Sequence, residues 1–456
     1  MILPQPLLQD LRTVPGFDEA SFINAHTIGA LTSVRMHPIK GAGINIPGEK
    51  IPWCSNGIYL AERPVFTLDP AFHGGGYYVQ EASSMFLEHI YKQVVPQTEG
   101  LRILDLCAAP GGKTTLLASL LTKDSLLISN EVIRSRASIL EENALRWGYT
   151  NNWVTCNDPR DFTQLSGYFD VIVIDAPCSG SGLFRKDRKA LEDWTEANVD
   201  LCSARQQRIL ADIWPSLKEG GIIIYATCSF SPQEDEEILD WIGDEYEAES
   251  VSVPISSDWG ITATESPKRK MQGYRFFPGK TKGEGFFIAA IRKKEYTGSL
   301  RFQRSKPQNM SKIKAQAGYL LSDDTVQFIQ PGKEISYNAI AAAHEADWFL
   351  LQKMFYFRKA GLPLGSPTAK EWLPAHDIAL SIDASAQLSA IDVSRDQALK
   401  FLKREDMNLD NIQKGWHIIK YNNIGLGWIK SLQNRANNYL PKHWRIRMEI
   451  PDEDIT

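Results

Sequence analysis

The sequence predicts an α/β fold whose main domain is a doubly wound, mostly parallel sheet. Between residues 96 and 295, short runs of β-branched and aliphatic residues alternate with longer stretches of helical spacing. This pattern is typical of parallel strands joined by crossover helices. A glycine-rich turn follows the first strand-like run, and cysteines follow two later ones. Open α/β sheets bind their ligands at this carboxyl edge of the strands.

The elements of this domain can be assigned in chain order. The predicted strands are 102–106, 126–130, 153–156, 170–174 and 221–226, with 285–291 as the strand that closes the sheet. Helical spacing covers 133–147 and a long stretch from about 189 to 217. Residues 1–95 precede this pattern and are predicted to form a small, turn-rich mixed α/β domain. Its loosest stretch is predicted at 73–78, which contains three consecutive glycines.

The carboxyl-terminal part is predicted to contain two further units. Residues 296–400 are expected to hold a linker and an intermediate domain, because 292–318 carry eight Lys or Arg against one acid, Glu295. Globular character returns from about 319, where the apolar runs 348–351 and 354–357 indicate a core. Residues 401–456 are predicted to form the last domain. Repeats and low-complexity tracts are absent from the sequence.

Composition excludes several classes of protein. Of the 456 residues, 43% are hydrophobic and 23% are charged, as in globular proteins that fold in water. The net charge of −5 requires any basic surface to be local. No apolar run is long enough to predict a membrane helix, and no signal peptide is predicted. Six cysteines in this length predict neither a disulfide framework nor a zinc site. We therefore expect a cytoplasmic protein without a metal, and nothing demands more than a monomer.

The glycine turn is the first candidate site. It comprises, in order, Cys107, Ala108, Ala109, Pro110, Gly111, Gly112 and Lys113. Glycines allow close approach of the backbone to a ligand, and a helix amino terminus favours negative charge. The phosphate-binding loop of NTPases needs a glycine where this chain has Cys107, so that class is excluded. The glycine spacing of dinucleotide-binding turns is missing as well.

Two acids placed after successive strands indicate a nucleoside ligand. Glu131 follows Gly112 by nineteen residues, a spacing suited to holding the two ribose hydroxyls. Asp158 follows the third strand and is placed to accept from an adenine amino group. Without a pyrophosphate-binding turn, the nucleoside cofactor that fits is S-adenosylmethionine. The alternative is that both acids are helix caps or solvated loop residues.

Cys178 and Cys228, fifty residues apart, each follow a hydrophobic strand at a turn rich in small residues. A thiolate that adds to carbon 6 of a pyrimidine makes carbon 5 nucleophilic enough to accept a methyl group. The thiolate is the active form, so a nearby cation is needed to lower the thiol pKa, and Lys113 is a candidate. The order of the residues leaves open which cysteine attacks. Cys54, Cys156 and Cys202, and with them Cys107, are interpreted as inert buried thiols.

Three motifs then resemble those of the Sun/Nop family of RNA cytosine-C5 methyltransferases. They are the turn 107–113, Asp175-Ala-Pro-Cys-Ser-Gly-Ser-Gly182 and Tyr225-Ala-Thr-Cys-Ser229, and residues 275–278 and 282–287 resemble the closing motif of the family. The resemblance implies a Rossmann-like methyltransferase domain in which Cys228 is the nucleophile and Cys178 helps to release the adduct. It also implies that 107–113, Glu131, Asp158 and Asp175 line the S-adenosylmethionine site. Asp175 would also contact the cytosine.

Sequences outside this domain resemble the bacterial F-type enzymes of small-subunit ribosomal RNA. Arg35 and Lys40 match an Arg-x-Asn-x-x-Lys element of that group, but His37 replaces the asparagine, which puts that contact in doubt. Residues 421–428 resemble the PUA-like, β-rich RNA-binding tail. Residues 411–448 carry seven Lys or Arg, no acid and several aromatic residues, a composition suited to phosphates and unpaired bases. The alternative is that the tryptophans of this segment, Trp416, Trp428 and Trp444, form the core of a small domain. Residues 267–282, with six cations and no acid, are expected to border the RNA channel.

The predicted function is therefore S-adenosylmethionine-dependent methylation of carbon 5 of a cytosine in RNA. The expected partner is 16S ribosomal RNA or the small ribosomal subunit, with no membrane partner. One alternative is a transfer-RNA methyltransferase with the same catalytic domain. Another is a ribosome-assembly or RNA-binding factor without activity.

Overall fold

The structure is a computed structural model that describes residues 2–95, 99–298, 309–323, 325–332, 334–409, 411–432 and 435–449. Residues 299–308 of the predicted linker and 450–456 of the predicted last domain lie outside the described residues. Within the described ranges, no helix is both long and apolar enough to cross a membrane.

The amino-terminal domain is built on a four-stranded antiparallel sheet of order β2-β3-β1-β4. Its strands are β1 (Thr32–Met36), β2 (Glu49–Lys50), β3 (Gly57–Leu60) and β4 (Tyr77–Val79). Its helices are α1 (Gln5–Leu11), α2 (Glu19–Ala25), α3 (Pro70–His73) and α4 (Leu87–Val94). The stretch 73–78, predicted to be loose, instead links α3 to β4. A side chain at Gly75 or Gly76 would collide with Arg146 or with Ile44 and Ile424, so these glycines permit close packing.

The central sheet confirms the predicted doubly wound fold. Its order is β11-β12-β13-β9-β8-β5-β6-β7-β16, and β10 pairs with β13. The parallel strands are β5 (Arg102–Asp105), β6 (Leu126–Asn130), β7 (Asn152–Thr155), β8 (Phe169–Asp175) and β9 (Leu217–Thr227). The antiparallel strands are β10 (Ala248–Ser250), β11 (Thr262–Glu265), β12 (Gln272–Phe276), β13 (Phe286–Lys293) and β16 (Phe357–Lys359).

Helices cover both faces of this sheet because its buried strands are apolar on both sides. Ile103 and Leu127 face one core cluster, whereas Leu104 and Ile128 face the other. The helices are α5 (Gly112–Leu120), α6 (Arg134–Trp147), α7 (Arg188–Asp193), α8 (Glu196–Ile213) and α9 (Glu236–Glu245).

The long helix predicted from about 189 to 217 is in fact interrupted. The backbone of Trp194 is extended between α7 and α8, and the side chain of Thr195 accepts a hydrogen bond from the amide of Asn198. A threonine in this position caps a new helix, so the chain restarts there. The prediction of one continuous helix was wrong because the apolar spacing continues across this cap.

Apart from β16, which joins the central sheet, the strands after residue 309 form two smaller sheets. The first, of order β14-β15-β17-β18, contains β14 (Val326–Ile329), β15 (Tyr337–Ala341), β17 (Leu362–Pro367) and β18 (Trp372–Pro374). The second, of order β19-β20-β21-β22, contains β19 (Ala390–Asp392), β20 (Gly415–Tyr421), β21 (Ile424–Ser431) and β22 (Ala436–Asn438). Their helices are α10 (Ser311–Ala317), α11 (Glu345–Leu351), α12 (His376–Leu380) and α13 (Arg395–Lys403). The last sheet agrees with the predicted β-rich carboxyl-terminal module.

Candidate active site

The glycine turn connects the end of β5 to the start of α5. Gly111 has a φ of 116°, a left-handed conformation that disfavours any residue with a Cβ. Arg136 Nη2 donates to the carbonyl of Ala109 at 2.8 Å, and Asn143 Nδ2 donates to that of Pro110 at 2.8 Å. The turn is thus held in place by side chains of α6.

The amino-terminal domain supports this turn from the other side. The guanidinium of Arg35 donates to Gln80 Oε1 at 2.9 Å and to Thr115 Oγ1 at 2.7 Å, and lies 4.6 Å above the ring of Trp147. Arg35 is only 2% exposed. The sequence matched Arg35 to a family element without assigning its role, and its burial shows that it joins two domains beneath the glycine turn.

His37 and Lys40 have the same joining role. The amides of Ile39 and Lys40 donate to His37 Nδ1, so Nε2 carries the proton and donates to the carbonyl of Trp147 at 3.0 Å. Lys40 Nζ donates to the carbonyl of Arg146 at 2.6 Å. The histidine therefore satisfies polar groups between the domains, as an asparagine can.

Two buried carboxylates along the glycine turn have an oxygen without a hydrogen-bond donor among the described residues. Asp105 Oδ2 accepts from Thr114 Oγ1 at 2.6 Å, and Glu131 Oε1 accepts from the amide of Ile133 at 3.0 Å. Asp105 Oδ1 and Glu131 Oε2 have no such donor, although Arg136 Nη1 lies 3.4 Å from Glu131 Oε2 in an ion pair. Burial raises the pKa of Asp105 to about 7. Because an orphaned buried acceptor is costly, Asp105 Oδ1 indicates a ligand that brings its own donor.

Asp158 is a helix cap, as the alternative interpretation of the sequence held. Its side chain accepts from the amide of Arg160 at 3.1 Å, and the carboxylate of Asp161 accepts from the amide of Asp158. The side chain of Asp158 is 43% exposed, which leaves it accessible at the end of β7. Capping occupies part of this carboxylate and does not separate it from the site.

Lys113 pairs with Asp175. Its Nζ lies 2.8 Å from Asp175 Oδ2, in an ion pair between α5 and the end of β8, and 4.9 Å from the centre of the Phe286 ring. The side chain of Lys113 is 10% exposed and that of Asp175 is 35% exposed. The ammonium therefore orients a carboxylate that faces the crevice.

Cys178 and Cys228 meet in the crevice at the carboxyl edge of the sheet. Their sulfurs lie 3.1 Å apart, and both cysteines are free. The contact with the Cys228 sulfur, followed by burial, raises the pKa of Cys178 well above the usual range for a thiol.

The other cysteines lie outside this pair. Cys54 is buried against Glu88, Cys202 contacts Asn198 on α8, and Cys156 lies near the carbonyl of Val132. Cys107 is part of the glycine turn, where burial raises the pKa of its thiol.

The two cysteine loops pack against each other through their backbones. The amide of Gly182 donates to the carbonyl of Cys228 at 2.9 Å, and the amide of Phe230 donates to Ser181 Oγ at 2.7 Å. A Cβ on Gly182 would lie 2.5 Å from the carbonyl of Gly285 and 2.7 Å from that of Cys228. Only glycine allows this approach, which fixes the distance between the two loops.

An acidic run after Cys228, overlooked in the sequence, completes the site. Glu234, Asp235 and Glu236 lie at the start of α9 and are all buried. Arg275 pairs with Asp235 at 3.1 Å and with Glu236. Acids at the start of a helix are common because they suit its dipole, so the pattern alone did not single them out.

This pairing also corrects the expectation for 267–282. Arg275 is 1% exposed, and Lys280 Nζ donates to the carbonyl of Gly16 at 3.0 Å. Lys282 pairs with Glu49 at 2.6 Å on the surface. Much of this charge therefore holds the amino-terminal domain and α9 in place, and Arg275 does not border a channel.

Sequence comparison decides the family. A profile described as 16S rRNA methyltransferase RsmB/F matches residues 92–292, one for the N-terminal domain of RsmF matches 3–82, and one for the RsmF PUA domain matches 388–446. Ribosomal RNA small subunit methyltransferase F of Shewanella piezotolerans is 30% identical over 410 residues, which cover 86% of this chain and 85% of that protein. The chain belongs to the ribosomal RNA small subunit methyltransferase F family. Ribosomal RNA small subunit methyltransferase F of Psychromonas ingrahamii is also 30% identical, over 86% of this chain and 84% of that protein.

Solved structures agree with the fold of this methyltransferase F family member. A methyltransferase homolog protein from Pyrococcus horikoshii has a TM-score of 0.52 at 26% identity, covering 64% of this chain and all (100%) of that chain. NSun6 from Pyrococcus horikoshii, solved with SFG, has a TM-score of 0.51 at 21% identity and covers 64% and 98% of the two chains. The family profiles and the relatives confirm the family, the enzyme class and the PUA module that the sequence predicted. Among the described residues, no group of three His, Cys, Asp or Glu is arranged to hold a metal ion.

Proposed function

We propose that this protein methylates carbon 5 of a cytosine in 16S ribosomal RNA, using S-adenosylmethionine and a covalent bond between Cys228 and carbon 6. The observation that carries the proposal is the pair of free sulfurs 3.1 Å apart at the carboxyl edge of the sheet. The ion pair of Asp175 and Lys113 lies at the end of the neighbouring strand. The ribosomal substrate rests on the names of the relatives.

The Cys228 sulfur is the nucleophile in this proposal, as the resemblance of the motif 225–229 to the Sun/Nop family implies. When the Cys228 thiolate bonds to carbon 6, the ring electrons move toward carbon 5, which becomes nucleophilic. Carbon 5 then takes up the methyl group that S-adenosylmethionine would supply, which would leave S-adenosylhomocysteine. A base removes the proton that remains on carbon 5, its electron pair restores the ring double bond, and the Cys228 sulfur leaves as a thiolate. Cys178 touches the departing sulfur, and we assign it to this release step.

Asp175 is proposed to contact the cytosine ring. The side chain faces the crevice, and its ion pair with Lys113 holds it in one orientation. A carboxylate fixed in this way is suited to accept a hydrogen bond from the exocyclic amino group of cytosine. Carbon 6 of a stacked, paired base is out of reach, so the target base must be unpaired or flipped into the crevice.

The cofactor site is assigned to the glycine turn 107–113 with Glu131, Asp158 and Asp175, and the structure adds Asp105. Asp105 Oδ1, which has no hydrogen-bond partner among the described residues, and the Glu131 carboxylate, which Arg136 holds in an ion pair, fit the amino and hydroxyl donors of S-adenosylmethionine. The absence of a side chain at Gly111 and Gly112 leaves room for close approach of a ligand. When bound, S-adenosylmethionine supplies an electrophilic methyl group.

Replacement of Glu131 by Gln is expected to weaken S-adenosylmethionine binding roughly ten- to a hundredfold. The change keeps an acceptor for the Ile133 amide and removes the charged acceptor for the ribose, a loss of about 1.5–3 kcal/mol. Isothermal titration calorimetry measures the effect. Glu142→Gln, on the exposed side of α6, is the matched control and should bind normally. Equal affinity of Glu131→Gln and the parent would remove Glu131 from the cofactor site.

The carboxyl-terminal module is proposed to hold RNA next to the catalytic domain. Trp428 is buried and donates to the carbonyl of Ala375 at 2.9 Å, so it belongs to the core. The rings of Trp416 and Tyr439 lie 4.5 Å apart, with Lys430 Nζ 5.1 Å from the Trp416 ring. Trp428 fits the interpretation of these aromatic residues as a core, and we propose Trp416 and Tyr439 as the residues that contact RNA.

The test of the proposed function is methyl transfer to intact small ribosomal subunits, deproteinised ribosomal RNA and bulk transfer RNA. We expect 5-methylcytidine in ribosomal RNA, identified by nucleoside mass spectrometry. Cys228→Ala is expected to lose activity by more than about a thousandfold, since the covalent route is closed. Cys156→Ala, which alters a cysteine outside the pair, serves as the control.

Each other result has a defined meaning. Label only in transfer RNA would keep the chemistry and reject the ribosomal substrate. Full activity of Cys228→Ala would reject the covalent mechanism. Absence of transfer to all three substrates would favour a factor that binds RNA without modifying it.

A further inference from the structure

One buried carboxylate lies beneath both cysteine loops. Glu234 is fully buried (0% exposed). Its Oε1 accepts from the amide of Ser179 at 2.7 Å and from Gln206 Nε2 at 3.3 Å. Its Oε2 accepts from Ser179 Oγ at 2.5 Å and from Ser229 Oγ at 2.5 Å. The carboxylate thus joins the loop after β8, the loop after β9 and helix α8.

The two serines directly follow the two reactive cysteines. Ser179 is next to Cys178 and Ser229 is next to Cys228. A bridge between the serines therefore fixes the relative position of the two sulfurs. Glu234 is itself anchored, because Tyr225 donates its hydroxyl to the Glu234 carbonyl at 2.7 Å. The bridge is therefore held by hydrogen bonds both at the two serines and at the backbone of Glu234.

The negative charge of Glu234 has a second effect on the cysteine pair, in addition to the position that the bridge imposes. A negative charge near a thiol stabilises the protonated form. Glu234 contributes to the raised pKa of Cys178, after the Cys228 contact and burial, and to that of Cys202. The other titratable or charged groups that face this cluster are Cys228, Tyr225, Asp235, Arg205 and, beyond Asp235, Arg275.

We propose that Glu234 is a positioning residue that holds the two sulfurs in contact through Ser179 and Ser229 and places a negative charge near the Cys178 thiol. Neither Ser179 nor Ser229 is required to react, and each transmits the position of the carboxylate to its neighbour. This inference rests on the proposed function, since it assigns roles to the same cysteine pair.

Glu234→Gln keeps the shape of the side chain and removes its charge. We expect kcat to fall at least about tenfold, with unchanged KM for RNA and unchanged affinity for S-adenosylmethionine. In the RNA-free protein, the pH midpoint for iodoacetamide alkylation of Cys178, resolved by peptide mass spectrometry, should move down by about one pH unit. A purely structural role would leave that midpoint in place.

Two further variants make the test specific. Ser229→Ala removes one arm of the bridge and keeps the charge, so it should lower kcat without moving the midpoint downward. Glu237→Gln makes the same charge change on the exposed side of α9 and should alter neither quantity. A parental kcat together with an unmoved midpoint in Glu234→Gln would overturn the proposal. If Glu234→Gln does not fold, a parental kcat in Ser229→Ala would overturn it.

The alkylation experiment separates this inference from the proposed function. It needs no RNA, so the shift in midpoint can be observed even if no RNA substrate is methylated. A lowered alkylation midpoint without methyl transfer would support the effect of the Glu234 charge on Cys178 and reject the cytosine chemistry.

Discussion

Cys178→Ser is expected to turn the enzyme into one that stalls on its RNA. Cys228 would still bond to carbon 6 and the base would still be methylated, but release would lack the group that contacts the departing sulfur at 3.1 Å. A serine hydroxyl holds its proton far more tightly than a thiol, so it is a poor replacement. The expected product is a covalent protein–RNA complex that survives denaturing gel electrophoresis and contains most of the protein when RNA is in excess.

Two further variants test whether the covalent protein–RNA complex forms through Cys228. The double variant Cys178→Ser with Cys228→Ala should give no complex, because the attacking sulfur is gone. Cys202→Ser, which alters a buried cysteine on α8, should turn over normally. A complex from Cys228→Ser and none from Cys178→Ser would exchange the roles of the two cysteines. Rapid turnover by Cys178→Ser would show that release does not need this thiol.

The sheet could be predicted from the sequence because buried parallel strands are continuous apolar runs. The predicted 126–130 coincides with β6, and the other parallel strands begin or end within a few residues of the prediction. Each such run also marks the carboxyl edge where Cys178, Cys228 and Asp175 converge. The position of the site therefore follows from the order and direction of the strands.

Pairing between side chains could not be predicted in the same way. Lys113 was a candidate partner for a thiol, and it pairs with Asp175 because α5 runs back alongside the end of β8. Arg35 and Arg275 look like surface cations in sequence, but each lies buried between elements distant in the chain. A charge pattern does not show which cations are buried, since that depends on tertiary packing.

Glu234 illustrates the same limit at the catalytic loops. Its position in an acidic run at the start of a helix has an ordinary explanation in helix capping and the helix dipole. Ser179 lies in the loop after β8 and Gln206 lies on α8, so only the tertiary fold brings them to the Glu234 carboxylate. The residues that react are thus visible in motifs, whereas the residues that position them emerge from the fold.

Replacement of Arg275 by Ala is expected to lower the free energy of unfolding by about 3–5 kcal/mol, because it leaves two buried carboxylates without their cation. Arg275 donates to Glu236 Oε1 at 2.7 Å and to the carbonyl of Phe230 at 2.9 Å, and pairs with Asp235 at 3.1 Å. Urea denaturation followed by tryptophan fluorescence measures the loss. Arg269→Ala is the matched control, since the exposed pair of Arg269 with Asp244 contributes less than about 1 kcal/mol.

The pH dependence of the Arg275 deficit tests its electrostatic origin. Burial raises the pKa of Asp235 even with Arg275 present, and the guanidinium opposes that rise. Its removal raises the pKa of Asp235 further and raises that of Glu236 from the lowered value that the guanidinium maintains, so the folded variant binds more protons than the folded parent. A folded state that binds more protons gains stability as the pH falls. The deficit should therefore be largest at neutral and alkaline pH and shrink in mildly acidic buffer, whereas a deficit independent of pH would assign the effect to lost packing.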